Sequence, residues 1–134
     1  MNRLLIGIRV EVRWGDMDAF GHVNNARFLT FLEEARLEWM QTLPEPWQSP
    51  LIAPLLAAVE MNFRRPIGWP ETIRIELSSS RVGNSSLTMT HRIVAASNHE
   101  LLYADGHSVL VWIDRISGRP TPLPTFVRGA AEAT

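Results

Sequence analysis

Cysteine and lysine are both missing from these 134 residues. Without cysteine there are no disulfides, no thiolate zinc sites and no cysteine nucleophile, and a reducing, cytoplasmic setting is the expectation that follows. Without lysine, all 13 basic side chains are arginine. Codon bias and selection for bidentate phosphate capture both produce that pattern, and composition does not choose between them. An excess of one charge is lacking too. The formal net charge is −1, so no global field draws the chain to nucleic acid or anionic lipid, and neither partner is expected. Long apolar runs are absent: Arg9 and Glu11 interrupt the first one before a signal-peptide core or a membrane span forms. There is no phosphate loop and no dinucleotide fingerprint. Gly83-Asn84-Ser85-Ser86-Leu87 lacks the Gly-x-Ser-x-Gly elbow of a serine hydrolase and reads as a turn.

What is present is a chain with 46% hydrophobic and 20% charged residues, the balance of a globular protein. Its length fits a single domain, 1–134, that buries roughly two-thirds of its unfolded surface; only Arg128–Thr134 reads as a loose tail. Ile6, Ile8, Val10, Val12 and Trp14 alternate with Gly7, Arg9, Glu11 and Arg13, the period of a strand with one buried face. From Ala26 to about Gln41 the period becomes helical, with Phe28, Leu29, Leu32, Ala35, Trp39 and Met40 on one face. Asn24 or Asn25 supplies the N-cap and Pro44 the stop. Four strands follow: Leu51–Phe63, ragged at Pro54; Thr72–Ser78; Leu87–Ile93; and Leu101 to about Ile113. The turns between them fall at Gly68-Trp69-Pro70, Gly83-Asn84 and Asn98-His99. The run Val109-Leu110-Val111-Trp112-Ile113 suggests a strand buried on both faces. The order is α+β: one strand, one long helix, then about four antiparallel strands. One helix covers one face of such a sheet, so a homo-oligomer is expected to cover the rest.

The chemistry concentrates between Trp14 and Leu29, where Asp16 and Asp18 sit on a glycine-bearing turn that runs into the helix. A helix start carries unpaired N–H groups and the positive end of the dipole, so an oxyanion can form there while a nearby carboxylate acts as base or nucleophile. Asp16-x-Asp18-x-x-Gly21 also copies half of an EF-hand loop. Calcium is excluded, because Phe20 and Arg27 stand where the fifth and twelfth ligands are needed. A divalent site from Asp16, Asp18 and His22 has less support than the roles of cap and turn former, and no metal is expected.

The run Asp16-Met17-Asp18-Ala19-Phe20-Gly21-His22-Val23-Asn24-Asn25-Ala26-Arg27-Phe28-Leu29, followed by Glu33-Glu34-Ala35-Arg36, resembles the signature of hotdog-fold acyl-CoA thioesterases of the 4-hydroxybenzoyl-CoA thioesterase type. The likeness continues through Asn62–Ile67, Arg81–Leu87 and Ala104–Asp114, nearly the whole chain. It implies a hotdog fold, a long central helix wrapped by a curved antiparallel sheet of about five strands. Two protomers would join sheets edge to edge with active sites at their interface, as a homodimer or a dimer of dimers. It implies hydrolysis of an acyl-CoA substrate to free acid and thiol with no further cofactor, coenzyme A being part of the substrate.

Carried over by position, the resemblance makes Asp18 the catalytic carboxylate, as general base or nucleophile, and the Asn25 N–H the group that polarises the thioester carbonyl. Asp16 would orient the turn, while His22 and Asn24 position water or close the pocket. Glu34, in mid-helix, is the reserve carboxylate. Arg64, Arg65, Arg81, Ser85 and Ser86 lie in segments resembling the family's coenzyme A surface, and Phe63, Leu87 and Trp69 are candidates for channel walls. A hydratase or dehydratase on the same fold and a non-catalytic acyl-CoA sensor are the alternatives. Acyl carrier protein remains open as the thiol carrier.

Overall fold

A computed structural model describes residues 3–132. Its elements are β1 (Arg3–Glu11), a 3-10 turn (Trp14–Asp16), α1 (Asn25–Gln41), β2 (Ile52–Phe63), β3 (Thr72–Val82), β4 (Ser86–Ala95), β5 (Asn98–Asp114) and α2 (Thr125–Glu132). The five strands form one antiparallel sheet in the order β1-β3-β4-β5-β2. Every strand pair carries a register shift, at Leu4/Ile6, Leu56/Ala58, Ser79/Arg81 and Ile93/Val94/Ala95. Such bulges bend a strand and deepen its twist, which curves the sheet.

Alternation decides what each face meets. Ile73, Ile75 and Leu77 on β3, Leu87, Met89 and Ile93 on β4, and Leu110 and Trp112 on β5 are buried on the α1 side. Their neighbours Arg74, Glu76, Arg92, Asp105 and His107 face the other way, with Glu76 accepting from both Arg74 and Arg92 at 3.0 Å. α1 presents Phe28, Leu32, Ala35 and Trp39 to the core and packs over β1 and β3. Truncating the fully buried Leu32 to alanine costs about 2–5 kcal/mol. No helix among the described residues is long and apolar enough to cross a membrane.

Several boundaries differ from the sequence reading. β1 stops at Glu11, because Asp16 accepts the Arg13 N–H at 2.9 Å and draws Trp14 into a 3-10 turn, leaving that indole exposed. The last hairpin turns at Ala96-Ser97 instead of Asn98-His99; Asn98 already pairs with Ala95. Val109, Val111 and Ile113 are half-buried, so β5 is buried on one face only. The segment read as a loose tail is mostly α2. Val127 and Ala131 are buried, Ser79 Oγ donates to the Ala131 carbonyl at 2.7 Å, and Arg128 donates to the Gly83 carbonyl at 2.7 Å. The alanines of α2 favour a helix, and burial of Val127 and Ala131 offsets the cost of Gly129. Residues 1–2 and 133–134 lie outside the described residues.

Candidate active site

The Trp14–Asn24 turn is clamped from three sides before any catalytic group is placed. Val12 N–H donates to the Glu71 carbonyl at 2.9 Å, Val23 N–H to the Ile67 carbonyl at 2.9 Å, and Asn24 N–H to the Asp16 carbonyl at 2.9 Å. The segment that receives Val23 is itself fixed to β5, since Arg64 and Arg65 both donate to the Tyr103 carbonyl, at 2.8 and 3.1 Å. Tyr103 in turn donates its hydroxyl to Glu71. Burial and the Glu71 carboxylate push that phenol up to about 12.

The two aspartates separate. Asp16, 2% exposed, accepts the Arg13 N–H and guanidinium, at 2.9 and 3.1 Å, with the Arg27 guanidinium at 3.7 Å. Burial works to raise its carboxyl; the Arg13 hydrogen bonds and the Arg13 and Arg27 charges outweigh it and hold the group below the ordinary carboxylate value. Asp18 is half-buried and faces a cleft. Its Oδ1 accepts the Phe20 N–H at 2.9 Å and its Oδ2 accepts the Asn24 side-chain amide at 3.3 Å. Gly21, with φ of 81°, makes the reversal that returns the chain to the helix, and Asp18 N–H closes it on the His22 carbonyl at 3.0 Å.

Asn24 is the N-cap: its Oδ1 accepts the Ala26 N–H at 2.9 Å, and its carbonyl accepts Arg27 N–H at 2.8 Å. Asn25 is therefore the first helical residue, and its N–H has no hydrogen-bond partner among the described residues. One cleft of about 540 Å³ gathers Asp18, His22, Asn24, Asn25, Arg64 and Arg65. Its apolar wall is Phe28 against Phe63, an edge-to-face pair with centroids 5.1 Å apart. Phe28 was legible only as a helix core position; that it also lines the site follows from its place one turn into α1, directly below the free N–H.

Other candidates lie elsewhere. Arg81, Ser85 and Ser86 sit at the opposite end of the sheet. Ser86 pairs with Val111, eight residues along β5 from the Tyr103 carbonyl that holds Arg64, or roughly 26 Å. Leu87 is a fully buried core residue, and Trp69 borders a separate groove with Trp14 and Met17. Glu34 is exposed on α1 and does not line the cleft. Arg64 is engaged by Asp105 at 3.1 Å, whereas Arg65 has no ion pair among the described residues. Asp16 is turned inward, so it does not share a ligand set with Asp18 and His22, and the described residues hold no cluster of three or more metal-binding side chains.

The sequence profile of the thioesterase-like superfamily matches residues 12–131. The chain belongs to that superfamily. A Pseudomonas aeruginosa protein of solved structure is 37% identical over 96% of this chain and 98% of its own, with a TM-score of 0.89. A Thermus thermophilus thioesterase, solved with coenzyme A and zinc, is 34% identical over 97% of this chain and 99% of its own, at a TM-score of 0.81. The Escherichia coli long-chain acyl-CoA thioesterase FadM is 29% identical over 108 residues, 79% of this chain and 81% of that protein. These neighbours identify the five-stranded curved sheet as a hotdog-type fold.

Proposed function

We propose that this member of the thioesterase-like superfamily hydrolyses the thioester of an acyl-coenzyme A, with Asp18 as the reacting carboxylate and the Asn25 N–H as the oxyanion donor. The observation that carries the reading is their meeting in one cleft: an oriented carboxylate beside an unpaired N–H at the start of a 17-residue helix. In the ground state the thioester oxygen takes the Asn25 N–H. As the carbonyl becomes tetrahedral, charge grows on that oxygen where the donor and the helix dipole favour it most. Asp18 either removes a proton from attacking water or attacks to give a mixed anhydride that water opens. Both routes release the thiol and leave a carboxylic acid, with no metal or redox cofactor required. Asn24 holds Asp18 and caps the helix at once, and His22 stands at the mouth.

Arg65 is the nearest uncommitted cation for the phosphates of coenzyme A. Arg81, Ser85 and Ser86 join it through a second copy of the chain. β2 is an edge strand whose six residues from Leu55 to Glu60 are all exposed, a template for pairing with itself. Antiparallel pairing centred there sets Phe63 beside the partner's Ile52, so the far end of the partner's sheet arrives at this cleft. A homodimer, or a dimer of dimers, completes the site in this way.

Thiol release from short, long and aromatic acyl-CoA esters tests the assignment, read with a thiol reagent that a cysteine-free protein does not consume. Wild type should turn over at least one ester and Asp18→Asn should lose about 10²-fold or more while staying folded. Tight binding of every ester without turnover would replace hydrolysis with sensing.

A further inference from the structure

Tyr103 is bonded at two separate points to the segment on which the Asp18 turn rests. Its carbonyl accepts the Arg64 and Arg65 N–H groups, and its hydroxyl donates to the Glu71 carboxylate, 32 positions earlier in the chain. The same segment carries the two acceptors that receive the turn. The Ile67 carbonyl takes Val23 N–H, just before α1, and the Glu71 carbonyl takes Val12 N–H, just after β1, each at 2.9 Å. One residue of β5 is thereby tied, through this segment, to both ends of the loop that carries Asp18.

The carbonyl half of the attachment needs no tyrosine, since any residue supplies it. The hydroxyl half does. Tyr103 is 6% exposed and its ring belongs to the core cluster, so phenylalanine would fill the same space. What the hydroxyl adds is a bond to a half-buried carboxylate whose other oxygen is already taken: Glu71 Oε1 accepts Thr72 N–H at 2.9 Å, and Oε2 accepts the phenol. Drawing a carboxylate out of water costs free energy, and charge-assisted bonds of this kind offset the cost. A side chain held at both oxygens holds its own main chain, and that main chain is the acceptor for Val12. Neither Tyr103 nor Glu71 lines the cleft, so any effect on the reaction runs through the placement of the turn. Placement matters steeply, because an error of about 1 Å at a reacting group costs on the order of 10²-fold in rate.

We propose that Tyr103 and Glu71 are positioning residues for the hydrolysis: their bond sets the Val12 end of the turn relative to the Val23 end, and so holds Asp18 in register with the Asn25 N–H. The idea deepens the hydrolase assignment and rests on it. The pair touches no substrate atom, so its loss falls on kcat and leaves KM in place.

Tyr103→Phe should lower kcat about tenfold, with KM within about twofold of wild type. Glu71→Ala should match it, and the double variant should lose no more than either alone, because both cut one bond. Glu71→Gln keeps the tie, its amide oxygen accepting Thr72 N–H and its amide N–H donating to the tyrosine oxygen. It should hold kcat within about threefold of wild type. Val127→Ala opens a cavity under α2, beside Ser79, and serves as the stability control: Tm should fall at least as far as in Tyr103→Phe while kcat stays. Unchanged kcat in Tyr103→Phe, a loss carried by KM, or an equal loss of kcat in Val127→Ala overturns the proposal. Amide hydrogen exchange needs no turnover. In Tyr103→Phe, exchange at Val12 and Val23 should quicken about tenfold or more while Ile75 and Met89 in the sheet core keep their protection; uniform quickening, or none, overturns it. Absence of turnover with every ester would instead defeat the hydrolase assignment, and exchange would then decide whether the pair holds the turn.

Discussion

Asp16 and Asp18 stand two residues apart in one turn, yet the turn gives them opposite tasks. Asp16 faces inward, is ringed by Arg13 and Arg27, and is held in its charged form by those partners. Asp18 faces the cleft with one backbone donor and one amide, an arrangement that orients the carboxylate and leaves lone pairs for water or thioester. The lesson is that acidic residues near a helix start divide by the side of the turn they occupy. The inward one ties the end of β1 to the first turn of α1, and the outward one lines the cleft, where the proposed reaction needs a carboxylate.

The contrast can be broken most sharply at the donor that faces Asp18. Asn25→Pro deletes the unpaired N–H at the first helical position, where proline is well tolerated. Asn24 already has φ −59° and ψ 135°, the extended backbone that a residue before proline needs. Circular dichroism and Tm should barely change while kcat falls about 10²- to 10³-fold; a comparable rate in the folded variant would remove Asn25 from the mechanism. Asp16→Asn should do the reverse. It should cost about 1–3 kcal/mol of stability, read as a Tm drop of several degrees, with kcat of the folded protein within a few-fold of wild type. Full stability with abolished turnover would exchange the two aspartates' roles. Asn24→Ala touches both sides of the turn, losing the cap and the Asp18 contact. Denaturant unfolding should show about 1 kcal/mol lost and kcat down roughly tenfold.

The effect with no bearing on turnover at neutral pH concerns acid. His91 has its proton affinity depressed in the folded chain, by burial first, to about 4 from an ordinary 6.5. Between those values the unfolded chain binds more protons than the folded one. The contribution is therefore complete above about pH 6.5 and is lost as the pH falls toward 4, on the order of 3 kcal/mol in full. Chemical denaturation at pH 7 and pH 4.5 should show this loss in wild type and a smaller one in His91→Gln. An equal loss in both would assign the acid sensitivity to the carboxylates.

Much of this was legible in the residues. Alternation located β1 and β3, apolar segments bounded by turn residues located β2, β4 and β5, and helical spacing located α1. The Asp16–Leu29 run placed Asp18, Asn24 and Asn25 together because they are neighbours in one turn. What the chain order hid was distance set by other elements. Ser85 and Ser86 lie near Asp18 in no single protomer, since eight residues of β5 intervene. Arg64 was legible as a cation but not as one already paired with Asp105, 41 positions away. Asn98 carries a turn former's composition, yet its Oδ1 accepts the Glu100 N–H inside β5 and the reversal falls on Ala96 and Ser97. The amphipathic residues of α2 gave too short a pattern to outweigh the composition around Gly129.

The bare flank of β2 has a kinetic consequence. If half of each catalytic pocket arrives with another molecule, activity per molecule is set by mass action as well as by chemistry. Dilution would then lower specific activity more steeply than it lowers protein, and a saturating substrate that bridges the seam would restore it. The rate measured in a cuvette at nanomolar enzyme would understate the catalyst that a crowded cell contains.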